Sequence, residues 1–249
     1  MLGEPPRTPW DLHFPLLGIP VRVHPLFWLV AVLLGARVPD ALTLIMWVLA
    51  VFVGVLFHEM GHATAMRAYG FSPWITLYGM GGLASYHPGS YSSRGNRTVA
   101  QIVITAAGPM AGFFVAALIL ASVRLAGYRI AYGLADGLPY AVFVEQIGPR
   151  AFHLFFADLL MVCIYWGLLN LLPVLPLDGG QIAREVLTAL NPRDGLRQAL
   201  ILSIVVGGLI VVMAFFRWND VFLAMLFGFM TYSNYMTLQA YRGRGFCRD

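Results

Sequence analysis

Apolar stretches of about bilayer length recur along this chain, and that recurrence fixes the solvent in which it can fold. A helix needs roughly 20 predominantly apolar residues to cross the hydrocarbon core. Such stretches are read at Ala41–Tyr69, Val99–Leu125, Phe152–Leu177, Leu196–Phe216 and Val221–Ala240. Another, Pro25–Ala36, is short, and would cross only by tilting or by recruiting residues from Ile19 onward. Charged residues make up 11% of the 249, against roughly 25% in a soluble domain, too few to keep the chain in water. The expected fold is an all-α polytopic membrane protein of about six transmembrane helices, forming a single domain over residues 1–249. Six crossings leave no room for an appended globular domain.

Residues 71–98 break the helical pattern. Gly79, Gly81 and Gly82 lie among Tyr78, Met80, Leu83 and Tyr86, followed by His87, Pro88, Gly89 and a Ser-rich run. The spacing predicts a small extended or hairpin segment at the membrane, between the second and third spans. Gly108-Pro109 and Gly112 are expected to interrupt the third span, and residues 126–150 to form a loop with short interfacial pieces. The fourth span should break around Pro173 and Pro176 before a helix over Gln181–Leu190.

All 16 basic residues are Arg. They are scattered between apolar segments and form no stripe, which suits loops facing anionic headgroups and excludes a nucleic-acid partner. With the amino terminus inside, eleven Arg fall in inner segments and five in outer ones. That excess places both termini in the cytoplasm and the chain in the cell membrane. The first 24 residues hold five prolines with Glu4 and Asp11, so no processed signal peptide is expected. Cys163 and Cys247, one in an apolar segment and one in the tail, predict neither a disulfide nor a thiolate zinc site.

Chemistry is concentrated in His58-Glu59-Met60-Gly61-His62. A spacing of four puts both imidazoles on one helical face, where they can grip one Zn²⁺. Glu59 then lies beside the metal, able to take a proton from water and hand it to a leaving amine. The bland alternative is a pair of buried histidines bonded to backbone carbonyls. It must explain three ionisable groups together in an apolar span, where each is costly. Zinc held by two imidazoles needs a third protein ligand and an open position. Asp178, at the end of Asn170-Leu171-Leu172-Pro173-Val174-Leu175-Pro176-Leu177-Asp178-Gly179-Gly180, is the candidate. Its alternative role is to cap the helix that follows. Asn170 must also find a partner inside the span, as an oxyanion or substrate contact or as helix–helix glue. His87 and His24 are weaker candidates, His24 as a cap of the first span, while His13 and His153 read as structural.

These two motifs, in this order and in different spans, resemble those of the site-2 protease family of intramembrane zinc metalloproteases. Val55-Leu56-Phe57 before His58, and Asn170 through Gly179 with Pro173 and Pro176, carry the likeness; Gly108-Pro109 and Tyr78–Ala84 extend it. The resemblance implies one Zn²⁺ per chain held by His58, His62 and Asp178, Glu59 as base, and Asn170 contacting substrate or oxyanion. It implies a catalytic core of about residues 41–190 built on the second, third and fourth spans. It further implies a membrane-dipping sheet beside the site, and peptide-bond hydrolysis in a membrane protein such as a single-span regulator, an anti-sigma factor or a leftover signal peptide. The chain has no stretch long enough for an interposed PDZ domain or a nucleotide-sensing domain, so it resembles the minimal members.

Two other classes of function share the same residues. A metal-ion transporter would use His58, Glu59, His62 and Asp178 as a transit site, and would need a polar route across the bilayer. The outer halves of the second and fourth spans are nearly free of ionisable residues. A silent scaffold that binds transmembrane helices would have no need of an intact hydrolytic set.

Overall fold

Among the described residues of the computed structural model, five helices are long and apolar enough to cross a bilayer, not six. The structure describes residues 4–36, 38, 40–86, 97–135, 138–143 and 146–245. Along the chain come β1 (Leu12–Leu16), β2 (Ile19–Val23), α1 (Pro25–Leu34), α2 (Ala41–Ala68), β3 (Pro73–Tyr78), β4 (Gly81–Tyr86) and α3 (Arg97–Leu125). There follow β5 (Ile130–Ala135), β6 (Leu138–Phe143), α4 (Arg150–Asn170), α5 (Asp178–Leu190), α6 (Gly195–Phe216) and α7 (Val221–Gly245). The long apolar helices make this a polytopic membrane protein. The chain divides into two units, residues 1–94 with 107–167, and residues 95–106 with 168–249.

In the first unit, the short apolar stretch expected to span becomes the 10-residue α1, about 15 Å long at 1.5 Å per residue. Pro20 and Pro25 explain why the helix does not extend backward. Pro25 starts α1, where its missing N–H costs nothing, and the residues before it form β2. That strand pairs antiparallel with β1 and parallel with β3, so its backbone groups find partners without water. The Arg67 guanidinium donates to Leu17 O at 2.7 Å, the His24 N–H to Leu77 O at 2.8 Å, and the Trp47 indole to Ala31 O at 3.1 Å. Strand and helix in series thus run beside α2 from Arg67 to Trp47, covering the length expected of one helix. His24 caps α1, its Nδ1 accepting from the Leu26 N–H.

The four-stranded sheet has the order β1-β2-β3-β4, leaving β4 at an edge. The β3–β4 pair lies within the extended segment expected from the glycines. The β1–β2 and β5–β6 hairpins were not anticipated, and the second lies where a loop was expected. Ile19, Val21, Val23, Ile75 and Leu77 pack on Val55, Leu56, Met60 and Ala63 of α2. Arg22 is buried in this sheet with its charge paired. It pairs with Glu4 at 3.3 Å and Asp11 at 3.0 Å and donates to Pro5 O at 2.6 Å. Asp40 caps α2 by accepting from the Thr43 N–H, and Arg150 at the start of α4 pairs with it at 2.5 Å. That hydrogen bond, then Arg150, holds the Asp40 carboxyl below the usual carboxylate range.

The third span is not interrupted. Pro109 is buried inside a continuous α3, which gives up one helical hydrogen bond there. Packing here is close: a Cβ at Gly61 of α2 would meet Ala107 O of α3.

In the second unit, α4 ends at Asn170 and α5 begins at Asp178. The connection folds tightly against the first turn of α5, where a Cβ on Gly179 would meet Leu171 O and one on Gly180 would meet Leu175 N. Val174 and Leu177 are buried against Phe227 and Met230 of α7.

Candidate metal centre

His58 lies 17 residues into α2, about 26 Å from its start, in the second half of the helix. His58, Glu59 and His62 are all buried, with 3%, 5% and 8% of their surfaces exposed. The i,i+4 spacing does what the sequence predicts. The two Nε2 atoms stand 3.2 Å apart, with ring centroids 4.9 Å apart and planes crossing at 78°. Two imidazole nitrogens on one tetrahedral zinc, each at roughly 2.0–2.1 Å, would lie about 3.3 Å apart. The observed spacing fits two ligands of one ion.

Asp178 is the first residue of α5 and is buried. It is not the cap: Leu177 occupies that position and makes no side-chain cap hydrogen bond. His58, His62 and Asp178 each offer one ligand atom, and these atoms lie within 4.8 Å of one another. Two imidazoles and one carboxylate, with a position left for water, form a donor set that suits catalytic zinc. Asn170 is the last residue of α4 and is also buried.

Two glycines shape the surroundings of α2, and neither was singled out for this from sequence. A Cβ at Gly108 of α3 would run into His62 Nε2, and one at Gly82 of β4 would run into the Glu59 carboxylate. Gly108 appeared in the sequence only as a helix interruption and Gly82 as a hairpin residue. The signal was a glycine where nothing in the local chain needs one. Tyr78 of β3 feels the same carboxylate. Burial, then the charge of Glu59, pushes its phenol above the usual range. The sheet thus approaches the His58–His62 turn of α2 from one side and α3 from another.

The other histidines lie elsewhere. His24 caps α1, His13 Nδ1 lies 3.1 Å from Asp11 O on the surface, and His153 sits near the start of α4 beside the Ile147 N–H at 3.5 Å. His87 falls outside the described residues. Gly108→Ala is expected to push His62 off its position and weaken zinc binding by about 10–100-fold, the range for residues that orient a ligand. Competition with a chromophoric chelator measures it, with circular dichroism checking that the helices persist.

A family model described as Peptidase family M50 matches residues 46–214, from α2 into α6. The chain belongs to peptidase family M50. The match contains every residue of the metal group, Glu59 and Asn170, and agrees with the resemblance to site-2 proteases carried by the two motifs. A zinc metalloprotease of Methanocaldococcus jannaschii is 25% identical over 185 residues. The alignment takes in 70% of this chain but spans only 44% of that relative. The solved structure of a site-2 protease from Methanocaldococcus jannaschii superimposes with a TM-score of 0.58 at 19% identity, covering 92% of this chain and 95% of that one. At that identity the likeness is one of fold.

Proposed function

We propose that this chain is a zinc-dependent endopeptidase that hydrolyses peptide bonds in or near the transmembrane segments of other membrane proteins. The observation that carries the reading is the buried His58–His62–Asp178 group with Glu59 next to it in the helix. His58, His62 and Asp178 hold one zinc ion. Bound there, zinc supplies a Lewis acid that makes water a nucleophile near neutral pH and polarises a carbonyl. Glu59 takes the proton from the attacking water and returns it to the leaving amine. The Asn170 carboxamide donates to the carbonyl oxygen as negative charge gathers on it.

A helical substrate hides its amides, so its span must unwind before this machinery can reach one. The outer edge of β4 offers the unwound segment a strand to pair with, and main-chain pairing reads backbone without a strict side-chain sequence. Gly82, beside Glu59, lies on that strand. A single-span regulator, such as an anti-sigma factor, is the substrate class this reading favours. The eleven-to-five Arg asymmetry supports both termini in the cytoplasm of a cell-membrane protein. The strand-plus-helix run beside α2 supports the same topology, because it serves as the extra crossing that five helices lack.

The test is cleavage of a purified single-span substrate by the full chain in detergent. Cleavage should stop when a chelator strips the metal and return when zinc is restored. Undiminished cleavage by metal-free protein overturns the proposal. Zinc uptake by proteoliposomes without cleavage would favour transport instead, and substrate retention without cleavage would favour a scaffold.

A further inference from the structure

Asp178 owes its place to a loop that cannot satisfy its own backbone. Between α4 and α5, Pro173 and Pro176 lack N–H groups, so regular pairing is broken. In a bilayer there is no water to replace it. Leu175, between the two prolines, keeps one N–H and one C=O that must each find a partner. Both partners come from the last two helices. The Leu175 N–H donates to Ser203 Oγ of α6 at 3.1 Å, and the Asn234 carboxamide of α7 donates to Leu175 O at 2.7 Å. The Ser203 hydroxyl is fixed in turn, since it donates to Ala199 O at 2.8 Å. Ser203 is 1% exposed and Asn234 6%, so both side chains are buried.

The grip reaches Asp178 through contact. Residue 175 is packed on the first turn of α5, where a Cβ on Gly180 would strike its nitrogen. Val174 and Leu177, on either side, are held in the apolar cluster with Phe227 and Met230. A shift of Leu175 therefore carries the start of α5, and its carboxylate, along with it.

We infer that Ser203 and Asn234 are positioning residues for Asp178, through which α6 and α7 set the geometry of the metal site. The inference rests on the proposed zinc function and adds residues outside the second-to-fourth-span core that the motifs imply. Two backbone hydrogen bonds from different helices, on opposite sides of one residue, restrain both translation and rotation of the loop. Packing alone would leave it free to slide.

The experiment is a zinc affinity measurement on the full chain in detergent, by chelator competition, together with the visible spectrum of the cobalt-loaded protein. Asn234→Ala and Ser203→Ala should each weaken zinc by about 10–100-fold and alter the cobalt spectrum. Asp178→Ala should weaken zinc further, and adding Asn234→Ala to it should change nothing more. Ile119→Ala, in the buried cluster of the first unit, supplies a comparable loss of melting temperature and should leave affinity and spectrum unchanged. If Asp178→Ala binds zinc normally, the ligand set itself is wrong, and both readings fall. If Asp178→Ala loses zinc while Asn234→Ala and Ser203→Ala keep it, the positioning role is overturned and the zinc reading stands. If Ile119→Ala weakens zinc equally, the effect is general loosening and the positioning role is again overturned. Should Asn234→Ala fail to fold, Ser203→Ala carries the same comparison.

Discussion

Glu59→Gln is expected to lower turnover of a membrane substrate by about 10²–10⁴-fold, the usual worth of a positioned acid–base group, while zinc content stays the same. The two side chains have the same shape, so the buried pocket under Gly82 accepts the change without repacking. Glutamine keeps an oxygen that can accept a hydrogen bond from water, but it cannot take up a proton. Glu59 is not among the clustered ligand donors, so the metal has no reason to leave. Single-turnover cleavage and metal analysis on the same preparation separate the two effects. Normal turnover in the variant would remove Glu59 as the base, whatever the zinc content.

The parts of this site that could be read from sequence are those whose geometry is local. An i,i+4 pair of histidines faces one way on any helix, so His58 and His62 required no tertiary knowledge. Asp178 was legible for a different reason: a carboxylate deep in an apolar stretch demands a cation, and few positions offer one. Its alternative role as a helix cap fails on a local detail, because Leu177 takes the cap position.

What escaped the sequence depends on pairing at long range. β2 was read as a possible extension of the first span because Ile19, Val21 and Val23 are apolar whether helical or extended. Only its parallel partner β3, about 50 residues away, decides the matter. A sixth long helix was expected for the same reason. Ser203 and Asn234 look from sequence like any small polar residue in a span. Their meaning comes from meeting one residue, Leu175, 28 and 59 positions distant. Gly108 and Gly82 were visible as glycines, but a missing side chain does not name the group that fills its place.

His62→Ala should abolish both zinc binding and cleavage without unfolding the protein. Residues that only orient a ligand cost about 10–100-fold in affinity when removed, so losing a ligand outright should exceed about 100-fold. Alanine is the best helix former, and α2 is held elsewhere by Val51, Val55, Leu56 and Ala63 in its buried cluster. Far-ultraviolet circular dichroism should therefore be preserved while the metal is gone. His58→Ala added to His62→Ala should reduce turnover no further, because groups that act as one unit are not additive. The competing possibility is that the two Nε2 atoms, 3.2 Å apart, simply share a proton as a hydrogen-bonded core pair. Such a pair would contribute to stability and not to metal content, so His62→Ala would then lower the melting temperature and leave metal content at the level of the unsubstituted protein. A single variant assayed for both quantities decides between them, because a ligand and a structural partner move the two in opposite proportions.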